Sequence, residues 1–136
     1  METNEGRVYF ALDGDDFDPD KVTEFLGIEP TSITRKGSKV PGILPRINSW
    51  ELSTENIVNN YIDIYEMSAE IVNKIKPKKN LILQAKEIFN VSPRLEVVLW
   101  ISMNEEHSTP AIGFDAETIG FLGEIGAFVD IDAYKH

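Results

Sequence analysis

Asp13, Asp15, Asp16, Asp18 and Asp20 place five carboxylates in eight residues. Clustered carboxylate oxygens are what calcium binds, and an EF-hand loop opens D-x-D-x-D-G. Counted from Asp13 and Asp15, the third ligand position falls on Phe17. Counted from Asp16, Lys21 stands where the glycine is required and Gly27 where the closing glutamate belongs. The EF-hand is excluded, and no metal or other cofactor is expected. The turn reads as capping by Asp13 and Asp18 with Asp15 and Asp16 in solvent, or as a docking surface for a cationic partner. The alternative is an irregular metal or small-ligand site over residues 13–20.

A second constellation is Arg35-Lys36-Gly37 with Trp50. If the segments carrying them form a hairpin, the cations and the indole share a face, where cation–π contact and anion capture are both available. Arginine and tryptophan are also typical interface anchors. Nucleophilic chemistry has less to draw on. The chain has no cysteine, which excludes thiol catalysis, disulfides and zinc–thiolate sites. Its two histidines are His107, in a polar stretch, and His136, at the last position. There is no Gly-x-Ser-x-Gly elbow and no glycine-rich phosphate loop between a strand and a helix. No catalytic residue is assigned, and the chain reads as a binding protein rather than an enzyme.

Thirteen bases against 23 acids give a net charge of −10. A field of that sign repels phosphate backbones, so nucleic acid is not an expected partner, whereas a basic protein is. The acids cluster over residues 1–20, 51–70 and 101–136; Glu105 and Glu106 belong to the last cluster. No apolar run reaches the length of a membrane span, and Glu2 and Glu5 make the start unlike a signal peptide. A cytoplasmic location is expected, consistent with the missing cysteines.

The elements that must position these residues follow from periodicity and capping. Residues 7–12 alternate as a strand. Asp18 before Pro19 suits an N-cap with proline at the first helical position, and Gly27 a left-handed C-cap. Residues 32–39 and 48–53 read as a hairpin around a proline-rich loop over 40–45. Residues 56–76 show the longest helical spacing, interrupted at Pro77, and residues 81–89 resume it. Residues 94–103 are the clearest strand, apolar enough on both sides to be central and covered on both faces. Residues 109–114 read as a strand and Asp115 as the cap of a helix ending at Gly123 or Gly126. A last strand over 127–134 turns Val129 and Ile131 inward, Asp130 and Asp132 outward. At 136 residues this is a single domain. The order predicts an α+β fold, a mainly antiparallel sheet with helices on one face, related to the ferredoxin-like split βαβ arrangement.

The run Phe17-Asp18-Pro19-Asp20, Leu26-Gly27-Ile28-Glu29-Pro30-Thr31, Arg35-Lys36-Gly37 and Ser49-Trp50 resembles the opening of a bacterial family known as a domain of unknown function. The closing Val129-Asp130-Ile131-Asp132 is similar as well, so the resemblance spans essentially the whole chain. It implies a small cytoplasmic bacterial protein and transfers no catalytic residue. By size and charge the chain is also similar to immunity proteins, acidic antidotes that plug a basic toxin. The expected function is therefore a non-enzymatic, immunity-type inhibitor of a basic toxin domain. Asp13, Asp15, Asp16, Glu105, Glu106, Arg35 and Trp50 are its candidate partner-binding residues. The alternative is a small-ligand or metal-binding domain using the acidic turn or the Arg35/Trp50 face.

Overall fold

Alternation along two long strands sets the architecture. The computed structural model describes residues 3–37 and 47–136. Strand β1 (Glu5–Gly14) pairs antiparallel with β3 (Asn48–Ser53) on one side and β5 (Ser92–Ile101) on the other. β2 (Ser32–Thr34) continues the sheet beyond β3, and the short β4 (Ile57–Val58) pairs with the start of β1. β6 (Phe128–Lys135) pairs with β5 in parallel, giving the order β2-β3-β1-β5-β6. β3 separates β1 from β2, and β1 separates β3 from β5, so each βα-linked pair is split as in ferredoxin-like folds. β6 is an addition to that frame. Helix α4 (Ala116–Ile125) carries the chain to it as an ordinary parallel crossover.

The helices start and stop where their caps dictate. Asp18, extended at φ −94°, accepts the Asp20 N–H and opens α1 (Pro19–Leu26); Gly27 closes it at φ 69°. Asp63 accepts the Glu66 N–H and opens α2 (Ile64–Ile75). Pro77 falls in a 3-10 turn (Lys76–Lys78) before α3 (Lys79–Phe89). Asp115 and Gly126 bracket α4.

Val8, Phe10 and Leu12 of β1, Trp50 and Leu52 of β3, and Leu95, Val97 and Leu99 of β5 point to one side. There they form a single core with Val22 and Leu26 of α1, Ile71 and Ile75 of α2, Ile82 of α3 and Phe121 and Ile125 of α4. All four helices therefore lie on one face of the sheet.

Two expected elements differ. The long helix over 56–76 begins only at Ile64, because Ile57 and Val58 extend the sheet beside Glu5 and Gly6. The expected strand over 109–114 is reduced to one bridge, Asp63 to Ala111. Ala111 instead ties down the start of α2: its N–H donates to the Ile62 carbonyl, and its own carbonyl accepts from the Ile64 N–H. The expected loop over 40–45 and the end of the strand before it lie outside the described residues.

Candidate functional site

The side of the sheet away from the core carries the site. On β1 it receives Arg7, Tyr9, Ala11 and Asp13; on β5, Arg94, Glu96, Val98 and Trp100. Among the described residues no helix contributes to this face. β5 was expected to be covered on both sides. Its second side is instead buried by neighbouring side chains: Glu96 is 2% and Val98 8% exposed.

Arg94 organises the centre. Its Nε donates to Asp13 Oδ2 at 2.8 Å and its Nη2 to Asp13 Oδ1 at 3.3 Å, a fork on one carboxylate. Its Nη1 donates to Tyr9 Oη at 3.2 Å and to Glu96 Oε1 at 2.5 Å. The guanidinium also stands 5.4 Å from the Tyr9 ring centre, and Arg7 approaches the same ring at 4.9 Å. Ser49 extends the network by donating to Asp13 at 2.7 Å. Burial opposes charge on Arg94, but its hydrogen bonds to Asp13 and Tyr9 outweigh that and hold it firmly protonated. Burial also raises the Tyr9 phenol above its ordinary value, with Arg94 pulling it partly back.

Glu96 behaves differently. Burial, followed by hydrogen bonding with Asp132, pushes its carboxyl up to about 7, against the opposing pull of Arg94. The register explains the crowding: Glu96 lies opposite Asp130 on β6, and Val98 opposite Asp132 on the same face. One row on, Trp100 and Tyr134 are stacked with ring centres 5.6 Å apart.

The family model described as a domain of unknown function, DUF4279, matches residues 2–136. The chain belongs to this family. No curated protein and no solved structure matches it.

Of the expected site residues in this DUF4279 chain, only Asp13 joins the network. Asp15 and Asp16 are exposed on the turn after β1. Glu105 and Glu106 are exposed on the turn after β5, at the other end of the ladder that runs from Glu5 opposite Trp100 to Asp13 opposite Ser92. At 3.4 Å per residue those ends are roughly 27 Å apart, so the two acidic pairs do not converge. Arg35 pairs with Asp20 at 2.8 Å and Asp18 at 3.4 Å, fastening the end of β2 to the start of α1. Trp50 offers no surface. It is fully buried under α1, and its indole N–H donates to Thr23 Oγ1 at 3.0 Å. His107 closes its own turn through Ser102, Nδ1 to Oγ at 2.7 Å.

Tyr9, Arg94 and Glu96 were not singled out from the sequence, and Asp130 and Asp132 were read only as outward-facing residues of the closing motif, not as site residues. The signal was present in β5. Arg94 and Glu96 occupy the second face of a strand otherwise apolar enough to be central, and charges in that setting must be paired.

Proposed function

We propose that this chain is a non-enzymatic bacterial cytoplasmic binding protein, most concretely an immunity-type inhibitor that neutralises a basic toxin domain. Its partner docks on the open face of the sheet. The observation that carries this reading is the charge of that face. Among the described residues, by strand register, it holds Glu5, Asp13, Glu51, Glu96, Asp130 and Asp132 against only Arg7 and Arg94. A face of that sign steers a cationic surface toward it and rejects phosphate. The stacked Trp100 and Tyr134, with Tyr134 half exposed, supply aromatic anchors beside the acids. β6 is also a sheet edge, so its outer backbone groups are available for strand addition.

The test is kinetic. A partner recovered by cross-linking in native lysate is mixed with wild-type chain and with the Glu51→Gln/Asp130→Asn variant at two ionic strengths. Slower association and a flatter salt dependence in the variant support docking on this face. On-rates equal to wild type at both ionic strengths remove it.

A further inference from the structure

Arg94 occupies Oε1 of Glu96, and no N–H or hydroxyl donor reaches the buried Oε2; the other groups against this carboxyl are the acids Asp132 and Asp130. A buried carboxylate oxygen left unpaired is costly, and such groups call for a ligand. The side chain is 2% exposed, so water does not simply solvate it. One carboxylate oxygen each from Glu96, Asp130 and Asp132 lie within 4.8 Å of one another. Among the described residues Arg94 is the one cation paired with this cluster, and it is already held by two hydrogen bonds to Asp13. Three carboxyls thus converge on a point where the shared guanidinium is not enough and either a shared proton or a bound cation must offset the remaining charge.

The geometry points to a binding site for a hard divalent cation of the calcium class, formed by Glu96, Asp130 and Asp132. The donors are all carboxylate oxygens, which suit Ca²⁺, Mg²⁺ or Mn²⁺ rather than softer metals. Oxygens that share one Ca²⁺ at roughly 2.4 Å are at most about 4.8 Å apart, a limit the three oxygens meet. Glu96 supplies the buried ligand. Asp130 and Asp132, both exposed, supply the solvent side, where water completes the shell. The acidic turn over 13–20 is not equivalent: Asp13, Asp18 and Asp20 each have an arginine partner. Ligation from β5 to β6 would pin an edge strand whose residues are all exposed. The site requires no protein partner, so its failure would leave the docking proposal standing.

The experiment is calorimetric titration of the full chain, stripped with EDTA and dialysed, with calcium chloride, and in parallel with magnesium and manganese chloride. Thermal melts accompany each titration. The expected result is one calcium bound per chain and a melting temperature that climbs with calcium concentration. Asp132→Asn, a change on an exposed side chain, should weaken binding by at least the roughly tenfold that loss of even an outer-shell partner costs. Glu96→Gln should abolish it, and Asp15→Asn/Asp16→Asn should leave it unchanged. If Glu96→Gln does not fold, the Asp130→Asn/Asp132→Asn pair decides in its place. Absence of heat and of any melting shift at millimolar concentrations of all three cations overturns the site. So does calcium binding that survives removal of the Asp130 and Asp132 carboxylates.

Discussion

Arg94 and Glu96, two residues apart on one strand, are joined by a 2.5 Å hydrogen bond in which the arginine serves two carboxylates at once. Same-face neighbours on a strand sit one pleat apart, so the contact is local. What makes it unusual is its depth: the Arg94 and Glu96 side chains are 17% and 2% exposed. Asp13 neutralises the guanidinium from β1, and Glu96 is left between that pair and the two aspartates of β6. The open face is thus divided into a matched half at Asp13 and Arg94 and an acidic half at Glu96, Asp130 and Asp132.

Stability should fall as pH rises through the Glu96 titration. Its folded-state value of about 7 lies above the ordinary 4.5, so between these values the folded chain holds more protons than the unfolded one. The contribution is fully present below about 4.5 and is lost as pH climbs through 7. Urea denaturation in EDTA should show wild type losing on the order of 2 kcal/mol between pH 5 and pH 8. Glu96→Gln should remove most of that slope. Asp115, whose carboxyl is lowered by its capping bond to the Thr118 N–H, changes stability only at more acid pH and does not mask the effect.

Removing Arg94 should be more damaging than removing Glu96. Arg94→Met leaves Asp13 and Glu96 without their shared cation in a largely buried setting, which should cost about 3 kcal/mol. Arg94→Lys keeps the charge but cannot fork onto Asp13 while reaching Glu96, so it should recover only part of the loss. Adding Glu96→Gln to Arg94→Met should restore some stability, because one stranded charge disappears. A double variant as unstable as the sum of the singles would contradict the shared network.

The local grammar of the fold was legible. Asp18 with Pro19 and Gly27, and Asp115 with Gly126, bracket their helices as short-range capping rules require, and β3 spans the expected residues 48–53. What was not legible depended on distant partners. Val58 fits a helical stripe, yet the edge of β1 draws it into the sheet. Trp50 and Arg35 look like surface anchors until α1 covers the indole and its acids take the guanidinium. The parallel placement of β6 could not be read from its alternation: Asp130 and Asp132 do turn away from the core side as expected, but Val129 and Ile131, opposite Leu95 and Val97, stay exposed at the sheet edge instead of joining the core. That placement alone brings Asp130 and Asp132 to Glu96, so the site arises from register between segments more than thirty residues apart in sequence.

Asp18 carries two duties, and its replacement should register both. It accepts the Asp20 N–H at 3.0 Å and lies 3.4 Å from Arg35. Asp18→Ala should destabilise the chain by about 1 kcal/mol, nearly all from the lost cap, since the Arg35 pair is half exposed. Asp18→Asn, which keeps the acceptor and discards the charge, should return close to wild type in chemical denaturation. Equal losses in the two variants would shift the weight from the cap to the ion pair.

The last expectation separates the open face from the exposed turns. Asp15 with Asp16, and Glu105 with Glu106, sit on solvated turns at opposite ends of the sheet, so neutralising either pair should change stability by no more than about 0.5 kcal/mol. If docking uses the open face, neither pair should weaken partner binding as strongly as Tyr134→Ala. That substitution removes a half-exposed ring stacked on Trp100 and should weaken binding at least about tenfold with little loss of stability, as truncation of an aromatic anchor does. Affinities of the three variants for one partner at a single ionic strength decide the matter. A Tyr134→Ala affinity equal to wild type, alongside a large loss in one acidic pair, would move the interface off the sheet face and onto that turn.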